Sequence, residues 1–336
     1  MRRDHSTPAG AVHTLHLESR VLKGNLLGDP AERRIDVYLP AGHDGRGLPL
    51  LVDLVGFTAG GPAHTNWKNF GENLPERLDR LIASGAMPPV VAALPDCFTR
   101  LGGNQYINST AMGRWDDFLL QECVPFVEKK LGCGGAGKRG CFGKSSGGYG
   151  SMIHALLHPD FWAAAASHSG DAGFELAFAA EWPKVLRAIA KTDNSIQKWL
   201  EQFFAAPKVK DPDIHILMNL AMCATYDPDL GAYLGVRLPV TIDTCEIIPE
   251  RWANFMKWDP VSLVETHGAG LKRLKAFYID CGDIDQYNLL YGTRLMHKRL
   301  EALGVPHVYE EFADDHTAVD YRMDTSLPIL AKALSG

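Results

Sequence analysis

Gly140-Cys141-Phe142-Gly143-Lys144-Ser145-Ser146-Gly147-Gly148-Tyr149-Gly150 is the stretch that decides the fold of this chain. A short apolar segment enters it, Gly143-x-Ser145-x-Gly147 sits at its centre, and a helical run, Ser151 to His158, leaves it. Strand, sharp turn and helix in that order form the setting of a nucleophile elbow: the serine takes a strained backbone conformation, and glycines two residues to either side let strand and helix pass closely. Gly143-Lys144-Ser145 also resembles the tail of a phosphate-binding loop. That motif needs a glycine at position 138, which is Lys138, with Gly137 one residue out of register, so the nucleotide reading falls.

Outward from the elbow, the chain reads as alternating strands and helices. Val12–Ser19 and Arg34–Pro40 alternate polar and apolar residues, as half-buried antiparallel strands do. Leu48–Val55 and Pro89–Pro95 are nearly continuous apolar runs, the pattern of strands covered on both faces. Helices are expected at Leu74–Ser84 and at Trp115–Leu131, the second interrupted at Pro125. Further strands are expected at Lys138–Phe142, Phe161–Gly170, Leu274–Cys281 and His307–Phe312, with helices at about Tyr287–Leu303 and from about Val319. The reading is an α/β fold: a mostly parallel central sheet with antiparallel N-terminal strands. Between 171 and 266 the pattern turns helical, irregular and aromatic, with Trp182, Trp199, Tyr226 and Trp252 among its rings. That stretch reads as a cap inserted into a core made of 10–170 and 267–336.

Composition narrows the function. Hydrophobic residues make up 46% and charged residues 22% of 336, a globular balance. Thirty-four basic against forty acidic residues give a net charge of −6, with no basic run interleaved with aromatics, which argues against nucleic acid and anionic membrane as partners. Met1-Arg2-Arg3 has no apolar stretch behind it, so no secretory signal is read there. The seven cysteines lack metal-ligand spacing. They read as reduced, mostly buried thiols of a cytoplasmic protein.

A serine nucleophile needs a base, an acid and an oxyanion hole, and on such a sheet these follow in the order Ser, Asp or Glu, His at the ends of late strands. Ser145 is followed by the Asp280, Asp283 and Asp285 cluster at one strand end and by His316 after the next. His316 is the base on that order. His168, at a strand end, is its rival but precedes the acid. Asp285 lies furthest into its connection and is preferred over Asp283. His154 and His158 lie four apart but form no metal-binding motif, so no metal and no cofactor are expected. The oxyanion hole falls to the backbone N–H of Ser146 and one from Phe57 or Thr58, in the glycine-rich loop Gly56–Pro62. Thr58, Trp67, His168 and Trp252 are candidate pocket residues.

With these residues in place, the chain resembles the esterase D-like branch of the α/β-hydrolases, which includes S-formylglutathione hydrolases, enterochelin esterases, feruloyl esterases and mycolyltransferases. The resemblance rests on Val37-Tyr38-Leu39-Pro40, Val55-Gly56-Phe57-Thr58, the elbow itself, Ser169-Gly170-Asp171, Gly282-Asp283-Ile284-Asp285 and Asp315-His316. It implies an α/β-hydrolase fold with a helical cap. It places the acid of a Gly-x-x-Asp pattern on Asp285 and the loop's oxyanion donor on Phe57. Two positions depart from the family: Val55 where His is common before the loop glycine, and Asp315 where Gly is common before the catalytic His. The expectation is a serine esterase acting on a small-molecule ester through an acyl-enzyme, as a monomer or a homo-oligomer. The alternatives are an acyltransferase and an inactive binding protein on the same fold.

Overall fold

The computed structural model describes residues 6–336; the basic pair near the N-terminus lies outside them. Eight strands form one sheet: β1 (Ala11–Glu18), β2 (Glu32–Leu39), β3 (Leu50–Leu54), β4 (Val91–Pro95), then, after a small hairpin of β5 (Asn108–Ser109) and β6 (Gly113–Arg114), β7 (Arg139–Lys144), β8 (Ala164–His168), β9 (Ala276–Gly282) and β10 (Val308–Phe312). The order is β1-β2-β4-β3-β7-β8-β9-β10. β2 pairs antiparallel with β1 and with β4, and every pairing from β4 to β10 is parallel. The fold is α/β, with the antiparallel-to-parallel change at β3 as the sequence implies. β1 departs from expectation in being mostly exposed, with Val12 at 42%. It is an edge strand, and its His and Glu residues suit an edge that faces water.

Side-chain alternation sends residues to opposite faces of the sheet. Leu50, Val52 and Leu54 join the larger apolar cluster on one side, and Leu51 joins the smaller cluster on the other. The smaller cluster is covered by α1 (Leu74–Ala83), whose start is fixed by a reciprocal capping box of Asn73 and Glu76, and by the C-terminal helix. The larger cluster holds the elbow helix and everything that follows β8 on that face. Between them in sequence, Trp115–Asp117 (α2) runs through a π-helical stretch, Phe118–Cys123, into α3 (Val124–Leu131). The wide turn lies immediately before Pro125, whose ring cannot sit in a regular helix interior.

The elbow helix α4 (Ser146–Leu157) is buried along nearly its whole length. A Cβ on Gly143 or Gly147 would collide with the Leu54 carbonyl, so those glycines are what let α4 leave the sheet so steeply. Beyond β8, α5 (Phe174–Ala177), α6 (Trp182–Ile189), α7 (Ile196–Ala205), α8 (Asp211–Tyr226), α9 (Pro249–Met256) and α10 (Pro260–His267) precede β9. Tyr149 of α4 carries this segment: its ring packs on Phe174 and Tyr226, and its hydroxyl donates to the Trp258 carbonyl at 3.0 Å. α11 (Leu289–Ala302) and α12 (Met323–Ser335) complete the chain. Six of the seven cysteines are buried and all seven are free thiols. Among the described residues no helix is long and apolar enough to cross a membrane.

Candidate active site

Ser145 stands at φ 57° and ψ −126°, a conformation costly for a residue with a Cβ. It is held there from both sides. Its N–H donates to the His168 carbonyl at 2.9 Å, and its own carbonyl accepts from Tyr149 N–H at 2.8 Å. Ser145 follows directly on β7 at the carboxyl edge of the parallel strands, where ligands of open α/β sheets bind. It lines a cavity of about 310 Å³ together with Gly56, Phe57 and Thr58 from the loop after β3, and His316 from the loop after β10.

The connection after β9 supplies the partner of that histidine. His316 Nδ1–H donates to Asp285 Oδ2 at 2.8 Å, while Asp285 Oδ1 accepts from Tyr287 N–H at 2.9 Å. Both residues are nearly removed from solvent, Asp285 at 8% and His316 at 9%. The imidazole is fixed further by its own backbone N–H, which donates to Gln286 Oε1 at 2.9 Å, and by the Tyr287 ring set edge-on at 4.8 Å. With Nδ1 donating to a carboxylate, Nε2 of the neutral ring is a lone-pair acceptor. Asp283 is exposed. Asp280 is buried and bonded to His168, Tyr278 and Arg322. Of the three carboxylates at this strand end, Asp285 is the one that meets His316.

Other candidates lie elsewhere. His168 does not line the cavity: its Nδ1–H donates to Asp280 and its Nε2 lies 2.8 Å from the Ser326 hydroxyl, an internal link between sheet and α12. Trp67 is 69% exposed on the surface, and Trp252 stacks on Phe255 within the helical segment; neither reaches the cavity. Thr58 does.

The cavity also holds residues that sequence reasoning passed over. From the helical segment come Phe178, Ile214, His215 and Met218, and from the sheet side come His64, Lys144, Asp171 and Asp320. Lys144 and Asp171 adjoin motifs quoted for other reasons, so their positions were readable; His215 sits mid-helix with no local signal. Asp171 is buried beside the elbow. Gln105 Nε2–H donates to Ser146 Oγ at 2.9 Å and to Asp171 Oδ2 at 3.0 Å. Burial raises the Asp171 carboxyl to about 6, against the pull of Gln105 and of His316. His64 Nδ1–H donates to the buried Asp53 at 2.5 Å.

Among the described residues one cluster has metal-ligand composition: Asp116, His154 and His158. His154 is committed on both ring nitrogens, with Nε2–H donating to the Tyr106 carbonyl at 2.9 Å and Nδ1 accepting from Trp162 Nε1–H at 3.1 Å. Burial lowers its pKa to about 4, so the ring is neutral with no lone pair to offer. The cluster fits a packing role and not an ion.

Fold and cavity together define the class: an α/β-hydrolase whose elbow serine opens into a pocket shared with a carboxylate-bound histidine. Residues 30–325 match the model of the family described as "Putative esterase", and the chain belongs to that family of esterases. Among solved structures it is similar to a ferulic acid esterase, at 20% identity and a TM-score of 0.64 over 97% of this chain and 99% of that one. It is also similar to an S-formylglutathione hydrolase from Agrobacterium tumefaciens, at 17% identity and a TM-score of 0.60 over 98% and 97% of the two chains. Mycobacterium tuberculosis MPT51 (FbpC1) aligns at 16% identity and a TM-score of 0.57, over 97% of this chain and all (100%) of the other. At these identities the likeness is one of fold. No curated protein matches the sequence.

Proposed function

We propose that the chain hydrolyses carboxylic esters of small molecules through Ser145, His316 and Asp285. The observation that carries this is the 2.8 Å contact of His316 Nδ1 with Asp285 at the wall of the cavity into which the strained Ser145 opens. In the first half-reaction Ser145 Oγ adds to the ester carbonyl carbon while His316 Nε2 takes its proton. The tetrahedral oxyanion is met by backbone N–H groups. Ser146 supplies one, since as the first residue of α4 its N–H has no partner within the helix. Phe57 or Thr58, across the cavity, supplies the other.

Collapse of that intermediate breaks the bond to the leaving alcohol, which receives the proton from His316 and departs. Water then repeats the sequence on the acyl-enzyme: His316 takes its proton, the acyl–Oγ bond breaks, and the carboxylic acid leaves with Ser145 regenerated. Asp285 keeps the tautomer in place and stabilises the imidazolium in both halves. A cavity of about 310 Å³ stands at the small end of ligand pockets, which span roughly 300–1,000 Å³, and favours short acyl groups.

The test is labelling with a serine-directed fluorophosphonate followed by peptide mass spectrometry. A single adduct on Ser145, lost in Ser145→Ala, is expected. An adduct on another residue, or none, removes the reading. Ester turnover in which added alcohol outcompetes water for the acyl group would move the assignment to acyl transfer.

A further inference from the structure

Lys144 is the residue immediately before the nucleophile, and its side chain lines the same cavity. Among the described residues no carboxylate lies within ion-pair distance of its ammonium. Asp320 is bonded to Lys68 at 2.8 Å, Glu181 to Lys184 at 2.6 Å, and Asp171 to Gln105. Asp53 holds His64, and Asp285 holds His316. Each of these acids is bonded to a group other than Lys144, which leaves the ammonium without a counter-ion in contact.

The surroundings make that surplus costly. Burial pushes the Lys144 ammonium below its ordinary pKa, and the field of Asp320, Asp285 and Asp315 pulls the other way without contact. A partly buried ammonium lacking a counter-ion gains when a ligand brings one. The lining of the cavity includes the polar Thr58, His64, Thr317 and Asp320 and the apolar Phe178, Ile214 and Met218. Lys144 and Ser145 line the same cavity, so one small ligand can reach the ammonium with an anion and the serine with an ester carbonyl.

Resting on the esterase reading above, we propose that the substrate is an ester carrying a carboxylate close to the scissile bond, and that Lys144 binds this carboxylate. The anion sits on the acyl side or on the alcohol side of the ester, and the two sources separate experimentally. The p-nitrophenyl half-ester of adipic acid carries it on the acyl group, with its methyl ester as the neutral control. p-Acetoxybenzoate carries it on the leaving group, with methyl p-acetoxybenzoate as the control.

The quantity read is the ratio of kcat/KM for the charged ester over its neutral control, in the full chain at neutral pH. A charge-assisted hydrogen bond corresponds to roughly ten- to a hundredfold. The wild-type ratio should therefore exceed one by about tenfold in one of the two arms. It should fall by a similar factor in Lys144→Met and be largely kept in Lys144→Arg. A wild-type preference for the neutral ester in both arms overturns the proposal, as does a ratio indifferent to Lys144→Met. Equal loss on charged and neutral esters in Lys144→Met also overturns it, and assigns Lys144 to the oxyanion instead. The wild-type ratio stands as a test even if the variants fail to fold. Turnover of no ester at all is a different result: it removes the esterase reading, and this proposal with it.

Discussion

At the scale of single residues, two carboxylates of the candidate site sit in contrasting surroundings. Asp285 accepts from the His316 ring and from the Tyr287 backbone, the contacts by which it would orient the base in the proposed mechanism. Asp285→Asn keeps the shape but lets the ring adopt the other tautomer; kcat on a simple aryl ester should drop by about three to four orders of magnitude, with the fold retained by circular dichroism. Asp171 is the reverse case. Its folded pKa of about 6 exceeds the unfolded carboxylate value of about 3.9. The folded state therefore holds the extra proton between those values, and this group's contribution to stability falls as pH rises from about 4 to about 6. Asp171→Asn removes the titration. Its unfolding free energy relative to wild type should rise across that window by up to about 3 kcal/mol and stay level above it, as urea melts at several pH values would record. A difference independent of pH would mean that folding does not raise the Asp171 pKa.

At the scale of elements, one carboxylate ties the helical segment to the sheet's carboxyl edge. Asp259 caps α10 by accepting from Val261 N–H, and the same side chain accepts from the N–H groups of Gly173 and Phe174, each at 3.0 Å. It joins the point where the chain leaves the sheet region to the point where it returns. Asp259→Ala loses a cap and strands buried donors, at a cost of about 2–4 kcal/mol. A denaturation midpoint unchanged from wild type would contradict that accounting. Element identity was legible where periodicity was strong: the eight main strands appear where apolar alternation or apolar runs place them, with ends shifted by at most three residues. Less legible was α10, which reads as part of the irregular stretch yet packs against α4 and α11. Nor did any pattern of spacing point to His215, Ile214 and Met218 as cavity residues, because which face of α8 meets the pocket is decided by tertiary packing and not by α8 itself.

At the scale of the molecule, the candidate site lies along one edge of the sheet. β7, β9 and β10 end in the loops that hold Ser145, Asp285 and His316, and the loop after β3 faces them. Those residues were readable because the elbow forces glycines on the sequence and because the order of the remaining groups follows the order of the strands. Trp67, His168 and Trp252 were placed near the pocket on residue type and position along the chain, which do not report direction. His168 shows why: a strand-end histidine beside the elbow serves just as well to bond Asp280 and Ser326 in the interior. Lys144 is the counterpart, adjacent to the nucleophile and unpaired, yet indistinguishable in sequence from a solvated lysine.

The most direct test of the acyl-enzyme account is pre-steady-state release of p-nitrophenol from a short-chain ester. The account predicts a burst of one equivalent per chain followed by slower turnover, with burst and turnover both absent in Ser145→Ala. A Ser145→Ala protein that keeps the wild-type rate would contradict it.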